Sequence, residues 1–302
     1  MAREKGASRG IAPLSRTRGR RTSGDVDPND IFDRVQRRAR RDRAAADYAA
    51  HDFVRNAMIE GILDRLGAVR RSFGEVLDLG CFDASFTLPG ARVARCDAGF
   101  RFAHAAGGVQ ADEDRLPFAD ASFDLVVSAG VLDSVNDLPG ALTLIRRVLR
   151  PDGLFLGAFT GAGTLATLRA ALRDAEGGAA ARIHPQVDVR SAGDLLLRAG
   201  FALPVADIEP LDVRYGNVLR LLSDLRGMGA SSVLPNRPPL SRETLSRLET
   251  NFAERADPDG RTRERFDIIF MTGWAPDPSQ PLPARRGSAS ASLADALKPR
   301  DA

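Results

Sequence analysis

The stretch of residues 75–86 constrains the fold of this chain more than any other. It opens with an apolar run in which three aliphatic residues surround Asp78, and it turns at Gly80. An apolar run that ends in glycine is typical of a buried parallel strand followed by a sharp bend. Ligands of open α/β sheets bind outside the carboxyl ends of the strands, so Asp78 is predicted to begin a nucleotide-type binding site.

The segments after this strand alternate between strand and helix patterns. A helix is predicted from Asn136 to Leu149, and Arg150–Gly153 has the Pro and Gly of a type I turn. This alternation implies a parallel sheet with right-handed crossovers. Further strands are predicted at Arg92–Cys96, Val109–Ala111, Leu125–Ser128 and Leu154–Phe159.

The second half of the chain contains more helix. We therefore predict a doubly wound, mostly parallel α/β sheet to which the second half adds an α-helical cap. Helices are predicted at Thr164–Glu176, Ser191–Ala199, Val218–Leu225 and Ser241–Ala256, and strands at Phe201–Ile208, Leu211–Tyr215 and Arg265–Trp274.

Composition sets the boundaries of this domain. Residues 1–29 are rich in Gly, Ser and Arg, and residues 276–302 are rich in Pro, Ser and Ala, so both ends are predicted to be disordered. The domain then covers residues 30–275, with a core at 70–160 and the cap and last strands at 161–275.

Arginine clusters in the N-terminal tail and again over residues 34–43. We interpret these clusters as a disordered tail that runs into a solvated, Arg-rich helix; a partner-binding arm and a transit peptide are the alternatives. Lys5 and Lys298 are the only lysines among 43 basic residues. This bias is typical of a GC-rich genome, and so the arginine content does not predict specific nucleic-acid binding.

Several function classes are excluded by residue usage. Cys81 and Cys96 cannot form a disulfide framework, which favours a reducing compartment. No apolar run reaches the roughly 18 residues of a membrane span. The three histidines stand far apart without ligand spacing, so no metal site is predicted.

Acidic residues follow three successive strands. Asp97 closes the second strand, 19 residues after Asp78, where an acid can accept hydrogen bonds from both hydroxyls of a ribose. Asp112 and Glu113 follow the third strand, and Asp112 could accept a hydrogen bond from an adenine amino group. Each acid alone could equally be a helix cap or a surface charge, but three acids at three strand ends favour a nucleoside-type ligand.

These motifs together resemble those of class I S-adenosylmethionine-dependent methyltransferases of the type 11 group. The generic motifs are Asp-Leu-Gly-Cys at 78–81, Asp97, and the segments 111–118, 122–128 and 149–155. More narrowly, the chain resembles a family of mitochondrial complex I assembly factors, also described as protein-arginine hydroxylases, and its bacterial relatives. Malonyl-carrier-protein methyltransferases of biotin synthesis are the nearest competing family. The narrower match is carried by residues 31–34, 135–139, 195–201, 224–230, 236–237, 273–274 and 286–289, and it covers residues 31–297.

The resemblance implies a seven-stranded, Rossmann-like sheet, S-adenosylmethionine as cofactor and a role for each candidate residue. Asp78, Gly80, Cys81 and Phe82 would form the loop at the methionine part, and Asp97 would hold the ribose. The adenine would face Asp112 and Glu113, and Ser128 would end the fourth strand beside the sulfonium. Substrate contacts would come from Arg214, Tyr215, Asn236 and Arg237, for which a fold-supporting role is the alternative.

Three departures from the family pattern matter. Phe82 stands where the family loop has a glycine, in Cys81-Phe82-Asp83-Ala84. Only 16 residues lie between Gly80 and Asp97, so the helix between them is predicted to be about a turn and a half. Many relatives carry His-Trp where this chain has Asp133-Ser134, and Asp133 is a candidate general base.

Two main hypotheses follow. The first is a cofactor-dependent enzyme, a methyltransferase or hydroxylase, that modifies a complex I subunit during assembly. The second is a non-catalytic assembly factor with a degenerate cofactor site. Methylation of a malonyl carrier protein is a third possibility. The predicted partner is a protein substrate, and the predicted compartment is the bacterial cytoplasm, or the mitochondrial matrix for a eukaryotic source.

Overall fold

The computed structural model of the chain describes residues 30–178, 182–235 and 238–281. The predicted N-terminal tail, the C-terminal residues 282–302 and the candidate residues Asn236 and Arg237 lie outside this part. No helix of the described residues is long and apolar enough to cross a membrane. The compartment therefore stays a prediction.

The centre of the fold is one sheet of seven strands in the order β3-β2-β1-β4-β5-β7-β6. The first five strands are parallel, and β7 runs antiparallel between β5 and β6. This confirms the predicted doubly wound, mostly parallel seven-stranded sheet. The strands are β1 (Glu75–Leu79), β2 (Arg92–Asp97), β3 (Val109–Gln110), β4 (Phe123–Ala129), β5 (Leu149–Thr160), β6 (Ala202–Tyr215) and β7 (Thr262–Trp274).

Eight helices cover the two faces of this sheet within the described residues. Apolar side chains of α1, α3, α4 and α6 pack in the core on one face, and those of α2, α5, α7 and α8 pack in the core on the other. The helices are α1 (Arg34–Ala44), α2 (Phe53–Gly67), α3 (Phe100–Ala105), α4 (Leu138–Val148), α5 (Ala166–Glu176), α6 (Val189–Arg198), α7 (Val218–Gly227) and α8 (Arg242–Ala253).

Three local predictions were wrong. The segment between β1 and β2 contains no helix, because Pro89 and Gly90 leave no room for one. Residues 150–153 belong to β5, where Asp152 has a positive φ of 58° and the register against β4 shifts. The two strands predicted at 201–215 form the single strand β6.

The family-specific segment at residues 224–230 joins α7 to the start of the domain. Asp224 accepts a hydrogen bond from Nδ1 of His51 at 2.9 Å. A Cβ atom on Gly227 would lie 2.0 Å from the His51 ring, and one on Gly229 would lie 3.5 Å from Ala44 at the end of α1. These glycines therefore let the end of α7 approach α1 and the segment that follows it.

We expect Gly227→Ala to lower the free energy of unfolding by about 1–3 kcal/mol, because the new methyl group overlaps the His51 ring. Urea unfolding measures this change. Gly67→Ala is the matched control, since Gly67 ends α2 and its added Cβ would contact nothing within 4 Å. Equal stabilities of the two variants would contradict this packing.

Candidate functional site

The predicted cofactor acids meet at the carboxyl edge of the sheet. Asp78 lies in β1 and Asp97 ends β2, while Asp112 and Glu113 follow β3 and Ser128 lies in β4. All five side chains are buried, with at most 3% of any residue exposed. The sheet topology thus brings these candidates to one edge, as the sequence predicts.

The carboxylate of Asp97 is fully engaged by protein donors. Nε and Nη2 of Arg41 donate to its two oxygens at 2.9 and 2.5 Å. The backbone N–H groups of Phe82 and Gly99 donate to the same oxygens at 3.1 and 2.7 Å. A carboxylate offers about four acceptor positions, so none is left for a ribose hydroxyl.

The acids after β3 pair with other arginines of α1, the helix that also carries Arg41. Arg37 forms a two-pronged ion pair with Glu113, at 2.7 and 2.9 Å. Burial alone would lower the pKa of Arg37, but the charge and hydrogen bonds of Glu113 raise it. Arg38 donates to Asp112 at 2.5 Å. The sequence-predicted contacts of Asp112 and Glu113 with adenine are thus replaced here by contacts with guanidinium groups.

Phe82 fills the space in front of Asp97. Its backbone φ is 45°, a left-handed value that favours glycine, and the residue is 3% exposed. Its ring stacks on Tyr48, with 4.8 Å between centroids, and Cζ of Arg41 lies 4.0 Å from the ring centroid. Phe82 therefore packs against the arginine that holds Asp97, and it also lines the neighbouring cavity.

The other end of the site keeps unpaired acceptors. Within the described residues, neither carboxylate oxygen of Asp78 has a hydrogen-bond partner, and the hydroxyl of Ser128 has none. Burial raises the pKa of Asp78 to about 6, although the Arg55 guanidinium 3.7 Å away opposes this. The loop cysteine Cys81 is buried, which raises its thiol pKa to about 12 and makes it a poor nucleophile.

A cavity of about 280 Å³ lies beyond Phe82. Side chains of α2, α5 and α7 make most of its wall apolar, and Asp133 and Thr160 add polar groups near the ends of β4 and β5. Basic side chains also line it, namely Arg55, Arg182, His184 and Arg226. Asp133 accepts a hydrogen bond from the Thr160 hydroxyl, and burial raises its pKa. No described arginine forms an ion pair with Asp133.

Two of the predicted substrate residues lie elsewhere. Arg214 is exposed on β6, where it pairs with Asp257 and Asp259 at 2.8 and 2.6 Å. Tyr215, the last residue of β6, is buried in the core and does not line the cavity. No cluster of three or more possible metal ligands occurs among the described residues.

The sequence interpretation missed the role of helix α1. A solvated Arg-rich helix was expected, but Arg37 and Arg41 are 7% and 4% exposed. The signal was present in the spacing: Arg34, Arg37, Arg38 and Arg41 recur at three and four residues and so share one face of a helix. A general arginine bias explains how many arginines the chain has but not this spacing.

Comparison with known proteins agrees with the fold. A methyltransferase domain family matches residues 77–157. YcgJ of Bacillus subtilis superposes with a TM-score of 0.51 at 16% identity, over 74% of this chain and 99% of that one. The architecture is therefore that of a class I methyltransferase.

Relatives in sequence show to which methyltransferase-family proteins the chain is similar. The mitochondrial arginine-hydroxylase NDUFAF5 of Danio rerio is 37% identical over 89% of this chain and 90% of its own length, and the Homo sapiens protein is 34% identical over 92% and 87%. A malonyl-[acyl-carrier protein] O-methyltransferase of Methylovorus sp. is 30% identical over 84% and 93%. The chain belongs to the S-adenosylmethionine-dependent methyltransferase family, in the part that includes these relatives.

The family cofactor does not fit the site in this conformation. The free oxygens of Asp78 would suit the ammonium group of its methionine part. The acids predicted to hold the nucleoside part, Asp97 and Glu113, already pair with arginines. The Phe82 ring packs against one of these arginines and leaves little space beside it. The disagreement thus concerns the nucleoside half of the cofactor site.

Proposed function

We propose that this protein acts in the assembly of respiratory complex I, where it binds an arginine-bearing segment of one subunit. The observation that carries the proposal is the cavity with Asp133. Its volume of about 280 Å³ is large enough to hold a single side chain. Asp133 is the one acid among the described lining residues, and two of the arginines beside it, Arg55 and Arg182, already pair with Asp83 and Glu176. A mostly apolar wall with such an acid suits a side chain with an apolar stem and a cationic end.

The relatives support this choice of partner. NDUFAF5 proteins, named as arginine hydroxylases, match this chain over nearly their whole length. Their name indicates a guanidinium as the group that they act on. In this chain, Asp133 would hold such a group by a charge-assisted hydrogen bond, with Thr160 fixing the carboxylate in place.

The experiment is disruption of the gene in its source organism. We expect NADH:quinone oxidoreductase activity of the membranes to fall, and the wild-type gene to restore it. Normal complex I activity in the disrupted strain would contradict the proposal. The second candidate function, methylation of a malonyl carrier protein, is favoured by the 30% identity to the Methylovorus enzyme; it predicts instead that the strain requires biotin.

Asp133→Asn is expected to fail in this complementation. The change keeps the size of the side chain but removes the charge, and loss of one partner of a buried ion pair weakens binding by about 30-fold or more. Asp64→Asn, at an exposed position of α2, is the control and should restore activity fully. Equal rescue by both variants, at equal protein levels, would exclude Asp133 from the site.

A further inference from the structure

Helix α1 covers the nucleoside half of the site with a matched set of charges. Four arginines of this one helix face four acids at the ends of β2 and β3. Each acid pairs with at least one of these arginines, and Arg34 contacts both Asp114 at 2.6 Å and Asp112 at 3.5 Å. The pairs are Arg41 with Asp97, Arg37 with Glu113, Arg38 with Asp112, and Arg34 with Asp114.

We propose that helix α1 permanently occupies the place of the cofactor nucleoside, so that the full chain folds and works without binding S-adenosylmethionine. The inference concerns the cofactor side of the site. It does not rest on the proposed function, which concerns the cavity around Asp133.

Helix α1 and a nucleoside differ in charge. A nucleoside offers neutral hydroxyl and amino groups, whereas helix α1 directs four of its six guanidinium groups to these acids. If a nucleoside displaced the helix, four neighbouring carboxylates would lose their counter-charges, and the hydroxyl groups could not replace them. Two of the pairs, Arg41 with Asp97 and Arg37 with Glu113, are buried on both sides, and breaking such pairs is strongly unfavourable.

The anchoring of helix α1 opposes its displacement. Asp33 caps its first turn, and the backbone N–H of Asp33 donates to Val233 at 2.8 Å. The backbone of Phe32 exchanges two hydrogen bonds with the Asn136 side chain, at 2.7 and 3.0 Å. Gly229, with a φ of 74°, packs against the last turn of the helix. The helix is therefore held at both ends by parts of the chain that lie outside the cofactor site.

The packing of the Phe82 ring also opposes entry of a nucleoside. Its ring lies between Tyr48 and the Arg41 guanidinium, and Phe102 packs against its edge at 5.2 Å. Rotation of the Arg41 side chain alone would therefore leave an aromatic cluster in the pocket. Both the loop after β1 and helix α1 would have to move before a nucleoside could enter.

The test uses the full chain with S-adenosylmethionine and S-adenosylhomocysteine as probes. At about 1 mM ligand, any site of micromolar affinity is saturated and raises the unfolding temperature. We expect no heat in calorimetry and no thermal shift. Saturable micromolar binding would overturn the inference and would leave the complementation result of Asp133→Asn unaffected.

Asp97→Asn separates the two roles of this acid. If Asp97 serves as the partner of Arg41, the variant melts at a lower temperature without any ligand, whereas exposed Asp64→Asn does not. If Asp97 serves the ribose, the variant melts like the wild type and only a ligand-induced shift disappears; that result would overturn the inference. Hydrogen exchange of the wild-type chain gives an independent check, because the amides of α1 should exchange equally with and without S-adenosylmethionine.

Discussion

Arg41→Ala is expected to lower the free energy of unfolding by about 3–5 kcal/mol, because it leaves the Asp97 carboxylate buried without its counter-charge. Urea unfolding at pH 7 measures the loss. Arg43→Ala is the matched control, since Arg43 is exposed on the same helix. The control should change stability by less than about 0.5 kcal/mol.

A double variant distinguishes the ion pair from simple loss of packing. Arg41→Ala with Asp97→Asn should be less destabilised than the sum of the two single variants, because no buried charge then lacks a partner. Strict additivity, or a loss for Arg41→Ala no larger than that of the control, would contradict the pairing of helix α1 with the site.

Asp78→Asn is expected to stabilise the protein at pH 8 by up to about 3 kcal/mol, on the scale of about 1.4 kcal/mol for each pKa unit. The folded-state pKa of Asp78, about 6, lies above the ordinary value of 3.8. The folded protein therefore binds this proton more tightly than the unfolded chain does. The Asp78 contribution to stability falls as the pH rises from 3.8 to about 6, and stays low above that.

Urea unfolding of wild type and variant between pH 5 and 8 tests this sign. The advantage of Asp78→Asn should grow with pH and then level off, whereas Asp64→Asn should show no such trend. A variant that is less stable than the wild type at pH 8 would mean that the Asp78 carboxylate has a favourable partner in the folded chain. In that case the attraction of Arg55, 3.7 Å away, would outweigh the cost of burying the Asp78 charge, against the prediction.

Much of the sheet could be predicted from the sequence because its signals are local. The apolar run before Gly80 and the aliphatic segment after Phe123 each specify a buried strand without help from distant residues. Parallel topology then places Asp78 and Asp97 at one edge, wherever the helices lie. The sequence alone therefore predicts that both acids lie at this edge.

The pairing of these acids with arginines of α1 could not be predicted in the same way. Arg41 and Asp97 are 56 residues apart, and Arg37 and Glu113 are 76 apart. Helix α1 has few apolar anchors, and its place is set by ion pairs and by Gly229, just after α7, which allows close approach. The sequence marks Phe82 as a departure from the glycine of the family loop. The position of the Phe82 ring depends on Tyr48 and Phe102, which no local pattern connects to it.

The most direct test is a crystal structure of the full chain grown with S-adenosylmethionine at about 1 mM, enough to saturate a micromolar site. We predict that the Arg41 guanidinium still pairs with Asp97, that Phe82 still packs on Tyr48, and that no nucleoside lies between them. A ribose bound through its hydroxyls to Asp97, with helix α1 displaced, would contradict the account.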